Sequence, residues 1–186
     1  INGLWANTMG KGGIIPIQTL FFPSSSFLEL KLTGLQGDVM KESMNVAKTL
    51  AWNLTNKTTK TKLLKYFNDT KCQGLHIHCP EGSISKDGPS AGITMATTLV
   101  SVLTGKPIRK NVAMTGEITL RGRVLPIGGT RDKILAAVRA GITDILIPIS
   151  NEPDLEEIDA ATKSKVNVHL VKEIDQVLEL AIVDFK

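Results

Sequence analysis

The chain has 186 residues, of which 42% are hydrophobic and 22% are charged, a composition that excludes a disordered polar tail. Its 22 lysines and arginines exceed its 18 acidic residues by four, which is too small an excess to predict a nucleic-acid partner. The most apolar stretch, residues 93–103, is short and contains threonines and a serine, so no membrane span is predicted.

Residues 1–33 predict β structure. Strand formers dominate residues 14–22, apolar and charged residues alternate over 27–32, and the turn 23–26 lies between them. Glycines break the chain at 34–37. A helix is predicted next, with Asp38 as its N-cap and these apolar residues at helical spacing: Val39, Met40, Met44, Ala47, Leu50, Ala51 and Leu54.

The lysine-rich segment 56–72 is predicted to be an exposed excursion, because its only apolar cluster is short. Its lysines either form a weak patch for an acidic partner or lie on a solvated helix face or loop.

The strand predicted at 75–79 carries His76, His78 and Cys79, and Cys72 precedes it. A zinc site from these four residues is one interpretation. In a strand, however, the two histidines point to one face and Cys79 to the other, so the ligands converge poorly. The second interpretation is a pair of buried thiols in a protein of a reducing compartment.

The second half alternates predicted helices and strands. A loop over 81–89 leads into a helix from Ser90 or Ala91 to Leu103, with Gly105 as its cap. Further predictions are two strands folded about Gly122, a helix over 132–140, strands over 144–148 and 166–171, a short helix over 154–161 and a final helix over 173–183. This mixture predicts an α/β (mixed α+β) fold, one compact domain over 1–186 with several small sheets and about five or six helices.

Ser90 lies at the mouth of a predicted helix, after the sequence Lys-Asp-Gly-Pro. A helix N-terminus presents unpaired N–H groups and partial positive charge, which suits the oxyanion formed when a hydroxyl attacks a peptide carbonyl. Serine is also a frequent N-cap, and from this segment alone that role for Ser90 stays open.

Lys133 lies in the first turn of the helix that follows Gly128 and Gly129, with Thr130 as the expected N-cap. The helix dipole disfavours a cation there, and burial would further lower the pKa of the amine, so that it could act as a base. An ordinary surface lysine is the alternative. Only three histidines occur, at positions 76, 78 and 169, and no Ser-His-Asp arrangement offers a better alternative; no P-loop for ATP phosphates occurs.

Several longer motifs carry a resemblance to a known family. They are Pro-Glu-Gly at 80–82, Lys-Asp-Gly-Pro-Ser-Ala-Gly at 86–92, Met-Thr-Gly-Glu-Ile-Thr-Leu-Arg-Gly at 114–122, Val-Leu-Pro-Ile-Gly-Gly at 124–129, the helix containing Lys133, and Asp-Leu-Glu-Glu at 154–157. Together, in this order, they resemble the proteolytic domain of Lon-type ATP-dependent proteases.

The resemblance implies a Ser-Lys dyad with Ser90 as nucleophile and Lys133 as general base. It further implies that Thr115 hydrogen-bonds the lysine, that Asp87 and Glu117 are carboxylates around the site, and that Asp87 restrains the lysine in inactive forms.

The remaining implied roles are supporting ones. His76 and His78 lie on the strand beside the dyad, and Gly88 and Pro89 shape the turn that presents Ser90. No metal or cofactor is expected in this domain. A carboxylate near Lys133 would raise the pKa of the amine, so we expect the carboxylates to move away when the site is competent.

The resemblance also implies partners outside the chain. Lon proteases have an upstream ATPase module, which uses ATP and Mg, and a substrate-binding region, and neither is expected within 1–186. Expected partners are unfolded or regulatory protein substrates and five further copies in a homo-hexameric ring. The expected compartment is the bacterial cytoplasm, or the mitochondrial matrix in a eukaryote.

Two rival interpretations remain. The segment 89–92 is loosely similar to the phosphate-binding loop of GHMP small-molecule kinases, which would require a nucleotide pocket. The chain could also be a catalytically idle assembly module of a ring.

Overall fold

The fold is described from a computed structural model, which covers residues 1–34, 37–80 and 88–186. Ten strands, six α-helices and one 3₁₀ helix lie in these ranges. The strands are β1 (Asn2–Ala6), β2 (Gly12–Pro16), β3 (Gln18–Phe22), β4 (Leu30–Thr33), β5 (Gly74–His78), β6 (Val112–Met114), β7 (Glu117–Ile118), β8 (Val124–Leu125), β9 (Asp144–Pro148) and β10 (Asn167–Val171). The α-helices are α1 (Asp38–Leu54), α2 (Lys57–Thr70), α3 (Gly92–Thr104), α4 (Thr130–Arg139), α5 (Ala160–Lys163) and α6 (Ile174–Ala181), and the 3₁₀ helix is Ile149–Glu157.

The strands of the described residues form three sheets. The largest has the strand order β10-β9-β6-β1-β2, in which β2 alone is antiparallel to its neighbour. The second has the order β3-β5-β4, and the third pairs β7 with β8. The predicted α/β (mixed α+β) class and the predicted single compact domain are confirmed.

The largest sheet is covered on both faces, which explains why β9 is a continuous apolar run. Ile145 and Ile147 belong to a core cluster with Ile134 of α4, whereas Leu146 belongs to a larger cluster with Leu99 of α3. Alternate strand residues point to opposite faces, so the sheet separates α4 from α3.

The first predicted strand is divided in two. Residue 17 interrupts the run, so β2 joins the large sheet while β3 pairs with β5 in the second sheet. The alternating segment 27–32 is strand only over Leu30–Thr33, because Leu28 has a left-handed backbone (φ 50°).

The exposed excursion predicted at 56–72 is the helix α2. Asn56 caps it by accepting a hydrogen bond from the Thr59 amide (2.8 Å), and Phe67 is its buried residue. The predicted exposure was right, and of the helix face and the loop left open for its lysines the helix is the one observed; its bounds were not predicted because so few apolar residues mark the helix.

Two predicted N-caps were wrong by one residue. Gly37 is the N-cap of α1 and Asp38 is the first helical residue, while Gly129 is the N-cap of α4 and Thr130 is its first residue. The short helix predicted at 154–161 is a 3₁₀ helix followed by α5. Within the described ranges, no helix is long and apolar enough to span a membrane.

Candidate active site

Ser90 lies in a turn directly before α3 and is half-buried. Gly88 enters this turn with a φ of 112°, a backbone conformation that favours glycine, and Pro89 is exposed. The N-cap of α3 is Ala91, and no side chain makes a capping hydrogen bond. The alternative role of Ser90 as an N-cap is therefore wrong, and its hydroxyl is not used to start the helix.

The backbone of the turn is fixed to the segment after β6. The Ser90 carbonyl accepts hydrogen bonds from the Gly116 amide (2.7 Å) and the Thr115 hydroxyl (3.3 Å), and the Ile93 amide donates to the Gly116 carbonyl (3.0 Å). Gly92 permits this close approach, because a Cβ at its position would lie 2.8 Å from the Ile118 backbone nitrogen. The position of Ser90 is thus set by backbone contacts.

Two amides of the turn remain available to a ligand. Gly92 donates its N–H to the Pro89 carbonyl (3.1 Å), and Ile93 donates to Gly116. Among the described residues, the N–H groups of Ser90 and Ala91 donate to no acceptor. They lie at the positive end of α3, where an oxyanion would be stabilised.

Lys133 lies in the first turn of α4 with its side chain pointing into the protein, and only 4% of it is exposed. Its Nζ donates a hydrogen bond to the Thr115 hydroxyl (3.1 Å). Desolvation by burial lowers the pKa of the amine from 10.5 to about 8, since water no longer stabilises the ammonium form. The alternative of an ordinary surface lysine is therefore wrong.

Thr115 connects the two candidate residues. Its hydroxyl is fully buried, accepts from Lys133 Nζ and donates to the Ser90 carbonyl. In the described part of the chain, no hydrogen bond joins the Ser90 hydroxyl directly to the Lys133 amine. The structure therefore brings Ser90, Thr115 and Lys133 together through the threonine.

The other predicted site residues are spread more widely. His76 Nε2 and His78 Nδ1 lie on one face of β5, at 2.9 and 2.7 Å from the Thr33 hydroxyl. A hydroxyl has one proton, so at least one of these ring nitrogens must donate to it. Glu117 is half-buried on β7. Asp87 and most of the predicted loop lie outside the described residues.

A second polar cluster beside α4 was missed from the sequence. Asn151 is 5% exposed, and its side-chain amide contacts the backbone of Ile127 and the side chains of Thr130 and Asp154. The one signal for it is an asparagine three residues before an aspartate, a spacing too common to single out.

Within the described ranges, no three His, Cys, Asp or Glu side chains are grouped so that they could hold a metal ion. Cys79 is buried and Cys72 is half-buried.

Comparison with known proteins identifies the family. Residues 1–184 match the family model described as Lon protease (S16) C-terminal proteolytic domain. The chain belongs to this Lon proteolytic-domain family. The resemblance stated from the sequence motifs is thereby confirmed, and the chain is a member of a peptidase family.

Bacterial Lon proteases are among the similar proteins. The chain is 46% identical over 182 residues to the Lon protease of Escherichia coli (strain K12), covering 98% of the chain and 22% of that protein. It is 54% identical over 156 residues to the Lon protease of Geobacter metallireducens, covering 84% of the chain and 18% of that protein. It is 48% identical over 171 residues to Lon protease 2 of Desulfotalea psychrophila, covering 92% of the chain and 21% of that protein. The chain thus spans about a fifth of the length of these relatives.

Proposed function

We propose that the chain is a serine endopeptidase domain in which Ser90 is the nucleophile and Lys133 the general base. The observation that carries this proposal is the buried amine of Lys133, with its lowered pKa, linked through the Thr115 hydroxyl to the backbone of Ser90. A serine hydroxyl needs such a base before it can attack a peptide bond.

In the proposed mechanism, substrate binding turns the Ser90 hydroxyl towards the neutral amine of Lys133. The amine takes the hydroxyl proton while Oγ bonds to the substrate carbonyl carbon. The amides of Ser90 and Ala91 donate to the oxyanion, and the ammonium returns the proton to the leaving amine as the C–N bond breaks. Lys133 then deprotonates a water that hydrolyses the acyl-serine ester, and Ser90 regains its hydroxyl.

The supporting roles follow from the same family pattern. Gly88 and Pro89 shape the turn that carries Ser90, and Thr115 keeps the amine in place. Asp87 and Glu117 tune the charge around it, and His76 and His78 support the neighbouring sheet. None of these roles requires a metal.

The larger setting is proposed from the family and from the length of the relatives. The domain acts in a longer ATP-dependent protease, with ATP and Mg bound by an upstream ATPase module, and works as a homo-hexamer in the bacterial cytoplasm. Its substrates are misfolded proteins and short-lived regulatory proteins. The single domain 1–186 is then the proteolytic module.

Cleavage of a fluorogenic peptide by purified variants tests the proposal. We expect Ser90→Ala and Lys133→Ala to abolish cleavage while circular dichroism stays unchanged, and Ser101→Ala at the far end of α3 to retain it. Activity of the parent chain should rise with pH through about 8, because the base must be neutral. Sustained cleavage by the Ser90→Ala protein would eliminate Ser90 as the nucleophile.

A further inference from the structure

The start of α4 lacks the usual side-chain cap. Its N-cap is Gly129, with a φ of 69°, and no side chain accepts a capping hydrogen bond from the first turn. Gly128 and Gly129 precede the helix and have no side chains to hold it. Since Lys133 lies in this first turn, some other contact must fix its position.

Asn151 supplies that contact from the 3₁₀ helix. Its Oδ1 accepts from the Ile127 amide (3.0 Å) and its Nδ2 donates to the Ile127 carbonyl (2.8 Å). A single side chain therefore satisfies both backbone groups of Ile127, as a neighbouring strand would. This pairing fixes the chain two residues before the N-cap.

The same amide also reaches the first residue of α4. Asn151 Nδ2 lies 3.2 Å from Thr130 Oγ1 and 2.8 Å from Asp154 Oδ2, and the Thr130 hydroxyl donates to the same Asp154 oxygen (2.8 Å). Thr130 is 2% exposed. Hydrogen bonds from Asn151 and then Thr130 hold the pKa of the Asp154 carboxyl below its ordinary value. An anion beside this helix N-terminus also interacts favourably with the helix dipole.

We propose that Asn151 is a positioning residue of the active site, which clamps Ile127 and Thr130 and so keeps the Lys133 amine buried against Thr115. The inference rests on the proposed function for its catalytic meaning. Lys133 donates its backbone N–H to the Gly129 carbonyl (3.0 Å), so a shift of the segment held by Asn151 moves Lys133 with it. Without the clamp, the first turn of α4 frays and water reaches the amine.

In the described part of the chain, charged neighbours of Lys133 are few on the elements that pack on α4. The strands β1 and β2 contain no titratable side chain. Among the described residues, the remaining groups are Arg131, Asp132 and Arg139 on α4 itself and Glu152, Asp154, Glu156 and Glu157 on the 3₁₀ helix, while Glu117 follows Thr115 by two residues on β7. Asp87, which the resemblance implies for the site, lies outside the described residues. Desolvation is the cause of the lowered pKa of Lys133, so loss of burial should raise that pKa.

A titration of the Lys133 side chain tests the clamp without depending on activity. The chain is labelled with ¹³C at lysine Cε, and the signal of Lys133 is assigned by its absence from Lys133→Ala protein. The parent should titrate at about 8. We expect Asn151→Ala to raise the midpoint by about one unit or more, towards the value of a solvated lysine. Peptide cleavage by this variant should fall about tenfold below pH 7 and recover at higher pH.

Matched variants separate positioning from general loss of stability. Asn111→Ala removes an amide that donates to Thr143 and Asp144 at the amino-terminal ends of β6 and β9, and should leave the Lys133 midpoint unchanged. Thr130→Val removes one hydrogen bond of the clamp and should raise the midpoint, whereas Thr130→Ser should not. If Asn151→Ala does not fold, the Lys133 midpoints of Thr130→Val and Thr130→Ser decide.

An unchanged midpoint in folded Asn151→Ala protein, or an equal shift in Asn111→Ala, would overturn the inference. So would a loss of activity that is the same at every pH. Failure of the proposed function looks different: Ser90→Ala protein would still cleave peptide, while the Lys133 midpoint would still respond to Asn151.

Discussion

The buried Thr115 hydroxyl links Lys133, the proposed base, to the backbone of Ser90, the proposed nucleophile. Thr115 accepts from the Lys133 amine in a buried hydrogen bond and donates to the Ser90 carbonyl in a partly buried one. A buried hydrogen bond of this kind orients a side chain more than it stabilises the fold, because its net contribution is about 1 kcal/mol. Thr115 should therefore matter more for activity than for stability.

Replacing Thr115 by valine keeps the shape of the side chain and removes the hydroxyl. We expect peptidase activity to fall about tenfold or more at every pH, because the amine loses its orientation. The pKa of Lys133 should not rise, because the lost hydroxyl accepted a hydrogen bond from the amine. Rate measurements from pH 6 to 9 check this, with Thr115→Ser as the control that retains activity. A rise in the pH midpoint for Thr115→Val would contradict it.

At the scale of elements, two helix N-termini meet at the site and neither has a side-chain cap. The start of α3 rests against β7 through Gly92, and the start of α4 rests against β2, where a Cβ at Gly12 would lie 2.5 Å from the Asp132 carbonyl oxygen. Close backbone approach therefore helps to position both ends, together with the Asn151 contacts at α4. Any side chain at Gly12 or Gly92 would push the neighbouring backbones apart and so disturb the geometry of the site.

Gly92→Ala tests the contact between α3 and β7. The added Cβ would lie 2.8 Å from both a side-chain and a backbone atom of Ile118, so the start of α3 must shift. We expect a loss of stability of about 1–3 kcal/mol, measured by urea unfolding, together with a loss of peptidase activity. Gly128→Ala is the control, because a Cβ there meets nothing within 4 Å, and it should change stability little. Parent-like activity in Gly92→Ala would show that the contact is dispensable.

The helix α2 shows what periodicity could not reveal. Its apolar positions are too few for a clear amphipathic pattern, so the sequence predicted an exposed excursion and left open whether its lysines lie on a helix face or a loop. The cap at Asn56 was a readable signal, but asparagine is equally common in loops. By contrast, β9 has the predicted bounds. A strand buried on both faces is a continuous apolar run, which can be recognised in the sequence without knowing the strands beside it.

For the whole molecule, the buried lysine is a cost to stability that depends on pH. The pKa of Lys133 is lowered from 10.5 to about 8, which corresponds to about 3 kcal/mol. Below pH 8 both the folded and the unfolded chain bind the proton, and the full cost is present. As the pH rises from 8 to 10.5, the folded chain releases the proton first, so the cost disappears.

Lys133→Met should therefore increase the free energy of unfolding while abolishing peptidase activity. We expect a gain of about 3 kcal/mol at pH 7 that falls to about 1 kcal/mol at pH 9.5, measured by urea unfolding of variant and parent at each pH. Lys62→Met on the exposed face of α2 is the control and should show no such pH dependence. A pH-independent gain would mean that packing, and not the charge, is responsible.

The sequence alone determined the family, the mixed class and the identity of the candidate residues Ser90 and Lys133, because these are carried by contiguous motifs and local periodicity. Only the tertiary structure decided that Lys133 is buried, that the Thr115 hydroxyl, which the resemblance had already paired with the lysine, also reaches the Ser90 carbonyl, and that Asn151 contacts Ile127 and Thr130. These contacts connect segments 18 to 25 positions apart. The lowered pKa of Lys133 results from desolvation, which depends on the sheet and helices that surround the side chain. The residues next to Lys133 in the sequence do not determine this burial.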